Sequence, residues 1–211
     1  MLFLIESNLV GAVLFLLGIL LGIVVHEAAH AWSAYRLGDD TALWQGRVTL
    51  NPAEHLDPLG SVMIVVAGFG WGKPTPVEVR NLRSPLWGSV AVAFAGPASN
   101  LLIVALCAGL IRLPLFQEGY PLLLTVYVAL ANGLLFVFNL IPIPPLDGAK
   151  VLYPLLPRSL DGFVQFMNQY GPAILILLIL VSLLFESISP LGVILSLVRP
   201  LLNLFGLPTP L

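Results

Sequence analysis

Long apolar runs separated by short polar segments dominate the pattern along this chain. A membrane-spanning helix needs about 20 mainly apolar residues, and three runs are long enough to supply one. They lie at 9–37, 87–111 and 121–141. A shorter run at 171–185 predicts a fourth helix, and 190–205, which Arg199 and Pro200 interrupt, is a candidate for a fifth. The pattern therefore predicts an all-α polytopic membrane protein folded as a helical bundle.

The stretch between the first two runs, 38–84, has a different character, because it is polar and rich in Gly and Pro. Its apolar part, 59–71, is too short for a comfortable crossing, so we expect it to be re-entrant or to pack against the bundle. Alternating residues at 44–50 predict one strand, and 76–79 predicts a second. We therefore expect a small β element at the membrane edge.

Composition agrees with a bilayer as the surroundings of this chain. The 211 residues are 58% hydrophobic and 9% charged, with a mean hydropathy of +0.99, whereas a soluble domain carries about a quarter charged residues. The sequence has no basic run, so nucleic-acid binding is not expected. Cys107 is the single cysteine and cannot form an internal disulfide. No Lys or Arg precedes Arg36, so the first run does not begin like a signal peptide and is expected to be retained.

The Lys and Arg residues predict the orientation of the bundle. If the first span runs from outside to inside and 59–71 does not cross, eight of the nine Lys and Arg residues fall on one side and only Arg112 on the other. Positively charged loops stay in the cytoplasm. The end of the first span and the segment that follows the third span are therefore both predicted to be cytoplasmic.

The first apolar run contains an anomaly, the sequence His26-Glu27-Ala28-Ala29-His30. Residues i and i+4 share one face of a helix, with Cβ atoms about 5–6 Å apart, so both imidazoles can reach one zinc ion. Glu27 lies on the adjacent face and can act as general base toward water at the metal. Ionisable groups inside an apolar span are costly, so a chance occurrence is the weaker interpretation.

A catalytic zinc site takes three protein ligands, so one more must come from elsewhere in the chain. Asp147 is a candidate, because it follows a proline-rich break after the third span and is predicted to lie on the same side as His30. Asp147 could equally cap a short helix. His55 and Asp57 are rival ligands, although a bond from His55 to the backbone is the simpler interpretation of that histidine.

Together these residues resemble the site-2 protease family of intramembrane metalloproteases, in its small prokaryotic branch. Four stretches carry the resemblance, and they extend over most of the chain. They are the motif at 26–30, the segment 46–52 with His55, Asp57 and Pro58, the segment 96–100 in the second span, and the segment 139–148. The combination of the first motif with a downstream Leu-Asp-Gly in an apolar chain is specific.

The resemblance implies a ligand set and a role for each site residue. His26, His30 and Asp147 are expected to bind Zn²⁺, and Glu27 to be the general base. Asn139 matches an asparagine that helps to hold the substrate or to polarise its carbonyl group. The implied reaction is cleavage of peptide bonds in membrane-spanning substrates.

The resemblance also implies a three-span catalytic core, within 1–158, followed by C-terminal membrane helices within 159–211. The expected partners are the lipid bilayer and a single-span membrane protein as substrate, and the expected location is a prokaryotic cell membrane with the active site toward the cytoplasm. The chain has no obvious PDZ domain, so we do not expect such a module to select the substrate. A membrane metal transporter with the same ligands is the main alternative, and a catalytically inactive scaffold is another.

Overall fold

The computed structural model of the chain describes residues 9–67, 70–185, 189, 192–193 and 196–208. Within these residues the chain is built from α-helices and short 3₁₀ turns. The helices are α1 (Leu9–Arg36), α2 (Thr41–Trp44), α3 (Pro52–His55), α4 (Pro58–Ala67), α5 (Pro85–Leu110), α6 (Gly119–Asn139), α7 (Asp147–Leu152), α8 (Asp161–Leu184) and α9 (Val198–Leu204). The turns are Val79–Asn81, Pro114–Phe116, Tyr153–Leu155 and Arg158–Leu160.

Four of these helices are long and apolar enough to cross a membrane, which confirms a mainly helical protein with several candidate spans. The three long runs coincide with α1, α5 and α6 to within about two residues at each end. The fourth helix, α8, begins ten residues before the predicted start at 171. That start was not visible in the pattern, because the first turns of the helix, 161–170, mix polar and apolar residues and do not form an apolar run.

The helices α1, α5 and α6 pack against one another and form the core of the molecule. Small residues bring their backbones close together, since a Cβ at Gly18 of α1 would lie 2.9 Å from the Cβ of Ala131 and 3.0 Å from the Cα of Val128. A cluster of buried side chains fills the space where these helices meet α9. It contains Phe15, Val104, Cys107, Ala108, Ala129, Leu130, Ala131, Val198, Leu202 and Leu207.

The re-entrant interpretation of 59–71 is not supported. That stretch contains one ten-residue helix, α4, which is about 15 Å long and therefore covers half of the hydrocarbon thickness. Trp71 lies beside the first turn of α4, because a Cβ at Gly60 would lie 3.0 Å from the carbonyl carbon of Trp71. Ile64 is buried, with 3% of its surface exposed.

The predicted β element is wrong for the part of the chain that the structure describes. At 44–50 the helix α2 ends at Trp44, and a turn at Gly46, with φ of +70°, folds the chain back, so that Arg47 N–H donates to Ala42. At 76–79 the prolines at 74 and 76 lack the N–H groups that a strand ladder needs, and a 3₁₀ turn starts at Val79. One isolated antiparallel bridge, Leu56 to Gly72, joins the two sides of this segment in the described residues.

Among the described residues, the C-terminal part contacts the core through α8 and through α9. Leu175 of α8 packs with Ile141 and Leu146, which belong to the loop that leads to α7. The seven-residue helix α9 packs Val198 against Gly133 of α6, where a Cβ would lie 3.1 Å from Val198 Cγ1. The candidate fifth span, 190–205, lies partly outside the described residues. The division of the chain at 158 stays a prediction.

Candidate metal centre

The helical spacing of α1 turns two histidines toward the same point in the core. The rings of His26 and His30 meet edge to face, with centroids 4.6 Å apart. Their Nε2 atoms are 3.0 Å apart. Each residue is buried, with 6% of its surface exposed. The first two predicted ligands therefore converge as the motif requires.

Asp147 meets the two histidines from the start of the short helix α7. It is the first residue of α7, with Leu146 at the N-cap position, so its carboxylate does not cap the helix. Its Oδ2 lies 2.9 Å from His26 Nε2 and 3.1 Å from His30 Nε2. The Nζ of Lys150, one turn later, donates to the other oxygen, Oδ1, at 2.9 Å. Asp147 therefore presents one oxygen to the histidines and the other to a cation near the surface.

Hydrogen bonds on the far side of each ring determine which nitrogen carries the proton. His30 Nδ1 lies 2.7 Å from the carbonyl oxygen of Val92, which can only accept, so Nδ1 is the donor. His26 Nδ1 lies 2.7 Å from Asn100 Oδ1. The orientation of that amide follows from its nitrogen, which donates to the Gly22 carbonyl at 3.2 Å. In the neutral rings both Nε2 atoms therefore carry a lone pair that faces Asp147.

Three acceptor atoms thus stand together without a proton between them, and this donor set fits a divalent cation. Their separations are 2.9, 3.0 and 3.1 Å, close to the edge of about 3.3 Å between ligands of a tetrahedral zinc ion. They form the one His/Cys/Asp/Glu group in the described residues that has metal-binding geometry. Gly96 of α5 keeps this place open, because a Cβ there would lie 2.6 Å from His26 Nε2.

Glu27 lies beside this group on the next face of α1 and is half buried. Its Oε2 accepts two hydrogen bonds from Thr75, one from the backbone N–H at 2.9 Å and one from the hydroxyl at 2.8 Å, whose proton also faces the Glu27 backbone carbonyl at 3.0 Å. Gly72 passes close above it, since a Cβ there would lie 2.8 Å from Ile23 Cγ2 and 3.5 Å from Glu27 Cγ. The segment 72–77 therefore holds one carboxylate oxygen, and within the described chain no donor bonds the other, Oε1.

The rival ligands lie elsewhere and have other partners. His55 is fully buried and donates from Nε2 to the Thr49 carbonyl at 2.8 Å, so it bonds to backbone as the simpler interpretation predicts. Asp57 Oδ1 accepts from the N–H of Gly60 at 2.7 Å in the first turn of α4. Neither residue belongs to the metal-binding group.

Asn139 is not bonded to the three ligands. It is the last residue of α6, is half buried, and its Nδ2 donates to the Leu135 carbonyl of its own helix at 2.9 Å. Its expected contact is with a substrate, so its role stays a prediction.

Sequence reasoning missed three residues that bear on the site: Thr75, Asn132 and Lys150. Asn132 could have been found from the same signal as the histidines, because it is an amide within an apolar span. Thr75 and Lys150 carry no such signal, since polar residues are ordinary in a loop and near the start of a short helix.

A groove of about 330 Å³ lies beside α1 but does not contain the metal ligands. Its walls are Val25, Ala28, Ala29, Trp32, Val48, Thr49 and Leu50. At 3.6 residues per turn its α1 residues lie roughly a third of a turn from the histidine face. This groove and the metal centre are therefore separate features of α1.

Two buried histidines and a buried carboxylate, held between apolar helices, define a membrane metalloprotein, and comparison with known proteins identifies its family. The chain is 38% identical over 174 residues, 78% of its length, to the Bacillus subtilis protein named "Putative zinc metalloprotease YwhC", of which it covers 79%. It is 31% identical over 178 residues to the Mycolicibacterium smegmatis protein named "Putative zinc metalloprotease Rip2", covering 80% of this chain and 67% of that protein. A Methanocaldococcus jannaschii protein named "Zinc metalloprotease MJ0392" is 28% identical over 87% of this chain and 46% of its own length.

No family profile matches the chain, and no solved structure matches it. The relatives are enough to establish the family, because the Bacillus subtilis protein is 38% identical over most of both chains. The chain belongs to the site-2 protease family of zinc metalloproteases. Its cofactor is accordingly Zn²⁺, in agreement with the His26, His30 and Asp147 group.

Proposed function

We propose that this protein is an intramembrane zinc endopeptidase that cleaves membrane-spanning substrates at its cytoplasmic side. The observation that carries the proposal is the convergence of three lone-pair donors, on His26, His30 and Asp147, with a carboxylate beside them on Glu27. His26, Glu27 and His30 lie on α1, which is long and apolar enough to cross a membrane, and Asp147 begins α7, which follows the third such helix.

The chemistry divides between the metal and the chain. Bound zinc supplies a Lewis acid that polarises the scissile carbonyl group and makes water acidic near neutral pH. Glu27 accepts a proton from the attacking water and returns it to the leaving amine. Because Thr75 holds Oε2 with two hydrogen bonds, the oxygen that takes the proton is Oε1. Asn139 is proposed to hold the substrate or to donate to its carbonyl oxygen.

The depth of the site and the distribution of charge support the cytoplasmic assignment. His30 lies six residues before Arg36, the last residue of α1, so the metal centre is roughly 9 Å from that end of the helix. The positively charged loops lie on this same side in the topology that leaves only Arg112 outside. A transmembrane substrate hides its peptide bonds in its own helix, so it must unwind locally before its carbonyl reaches this depth.

The same three ligands would suit a membrane metal transporter. That alternative gives Glu27 no task, and it requires polar groups along a path across the whole bundle. Zinc content alone does not separate the two functions, whereas cleavage of a peptide bond does.

The test measures zinc content and cleavage of a reporter single-span protein by the purified protein in liposomes. Glu27→Gln should retain zinc and lose cleavage, and Asp147→Ala should lose both. The matched controls are Glu54→Gln and Asp161→Ala, which change the same residue types away from the site. Zinc binding by wild type without cleavage of any reporter would favour transport. Full activity of the Glu27→Gln variant would exclude Glu27 as the general base.

A further inference from the structure

Two asparagines are fully buried in the core between the apolar helices, Asn100 on α5 and Asn132 on α6. An amide at membrane depth must find partners inside the protein. Asn100 bonds a ligand of the metal centre, as described above. Asn132 bonds none of the ligands, and the proposed chemistry does not use it, so its burial requires a separate explanation.

The hydrogen bonds of these residues form a chain that starts at His26. His26 Nδ1 donates to Asn100 Oδ1 at 2.7 Å. Asn100 Nδ2 donates to Asn132 Oδ1 at 2.9 Å. Asn132 Nδ2 donates to the Val128 carbonyl of its own helix at 2.9 Å and lies 3.4 Å from the Gly18 carbonyl of α1. Each donor proton therefore points away from the metal centre, and successive bonds polarise one another.

The chain has one consistent direction, because its last acceptors are backbone carbonyls. If the Asn132 amide were turned over, its oxygen would face the Val128 carbonyl and its nitrogen would face the nitrogen of Asn100. Neither pair can form a hydrogen bond. Asn132 Oδ1 therefore acts together with the Gly22 carbonyl to hold the orientation of the Asn100 amide, and that orientation in turn places the proton on Nδ1 of His26.

The helix α1 makes room for this arrangement. A Cβ at Gly22 would lie 2.8 Å from Asn132 Oδ1, so only glycine allows the amide to approach at this place. The approach brings α1, α5 and α6 into one hydrogen-bonded unit.

We propose that Asn132 is a positioning residue of the metal centre, which acts through Asn100 to hold His26 with its Nε2 lone pair toward the metal. This inference rests on the proposed zinc site. Partners that orient a metal-bound histidine typically change metal affinity by about 10–100-fold when they are removed. The alternative role of Asn132, as a polar contact that only joins helices, predicts lower stability with unchanged metal affinity.

Three variants at this position separate the two roles. Asn132→Leu removes the acceptor at similar volume. Asn132→Ser withdraws the acceptor from Asn100, because the shorter side chain carries its single oxygen next to its own helix, where the hydroxyl can still donate to the Val128 carbonyl one turn earlier. Asn132→Asp, with its carboxyl group protonated, keeps an acceptor for Asn100 and an O–H donor for the Val128 carbonyl. The matched control is Thr125→Val, because Thr125 is buried on the same helix and, within the described chain, its hydroxyl donates to the Pro121 carbonyl of that helix at 2.8 Å.

Three properties of the full-length protein in detergent are measured. The first is zinc affinity, determined by competition with a chromophoric chelator. The others are the visible spectrum of the Co²⁺-substituted protein and thermal unfolding of the metal-free protein. We expect zinc affinity to fall about 10–100-fold in Asn132→Leu and Asn132→Ser, with an altered Co²⁺ spectrum. Asn132→Asp should recover most of the affinity, and Thr125→Val should match wild type. If Asn132→Leu does not fold, Asn132→Ser carries the test alone.

Wild-type affinity and an unchanged Co²⁺ spectrum in both Asn132→Leu and Asn132→Ser would overturn the proposal, whatever their stability. An equal loss in Thr125→Val would also overturn it. Failure of the zinc site itself looks different, because wild type and Asp147→Ala would then bind Zn²⁺ equally.

Discussion

The replacement of Gly96 by alanine tests the metal centre with one added methyl group. Gly96 lies on α5 directly across from the two histidines of α1. A Cβ at this position would lie 2.6 Å from His26 Nε2 and 2.6 Å from His30 Cε1, whereas ordinary contacts begin at 3.4 Å. His30 Nε2 would lie closer still, so either the rings or α5 must move by at least about 0.8 Å.

That displacement is large for a metal site, where ligand distances are held to within about 0.2 Å. Overpacking of a rigid core by one methyl group costs about 1–3 kcal/mol. Because 1.4 kcal/mol corresponds to a factor of ten in affinity, strain that falls on the ligands lowers zinc affinity by about 5- to 150-fold. Cleavage of a reporter substrate should fall at least as far at a fixed, limiting zinc concentration.

The assay is chelator competition with the purified full-length variant, followed by cleavage at limiting and at saturating zinc. Gly109→Ala is the matched control, because Gly109 lies on the same helix and a Cβ there would meet nothing within 4 Å. We expect this control to bind zinc as wild type does. If Gly96→Ala also bound zinc and cleaved substrate like wild type, the three atoms assigned as ligands would not surround the metal.

Two further predictions concern the segments beside the site. Thr75→Val should lower kcat by about 10–100-fold through misplacement of the Glu27 carboxylate, while zinc affinity is unchanged. Thr75→Ser keeps the hydroxyl and should stay near wild type. Equal kcat values in the two variants would refute a role for the hydroxyl. Burial acts to raise the pKa of Asp39, but hydrogen bonds from Thr41, Asn81 and the N–H of Glu78 hold that pKa below its ordinary value of 3.8. Its stabilising effect is therefore present above about pH 4 and is lost as pH falls through the pKa of the folded state. Asp39→Asn should lower the free energy of unfolding by about 1–3 kcal/mol at pH 7, with a smaller difference from wild type at pH 3 in thermal unfolding, and a gap independent of pH would contradict this.

The parts of the fold that follow from local physics were predictable from sequence. Apolar runs of about 20 residues determine where helices can cross a bilayer, and α1, α5 and α6 agree with the predicted spans. The motif at His26 and His30 was equally readable, because the helical repeat alone places both side chains on one face. The residues themselves left His55 and Asp57 open as alternatives to Asp147, and only the tertiary arrangement of α7 shows which of these side chains meets the histidines.

The errors came from positions where tertiary contacts outweigh the local pattern. The alternation at 44–50 looks like a strand, but Arg47 is buried and donates to the carbonyl of Lys73, so the chain bends toward that partner instead of pairing with a neighbour. The predicted strand at 76–79 does not form, because proline lacks the N–H groups that donate hydrogen bonds between strands. Thr75 and Asn132 escaped notice because their importance depends on what lies opposite them in the folded chain.

The two histidines and Asp147 lie far apart in the sequence, and this separation sets the order in which the metal centre is made. His30 and Asp147 are 117 positions apart, so a growing chain acquires both imidazoles and Glu27 within its first span and the carboxylate only after the third span has been synthesised. A nascent chain with one or two spans inserted therefore has an incomplete ligand set. The three ligand atoms can therefore come together only once the three core helices and the start of α7 have been synthesised.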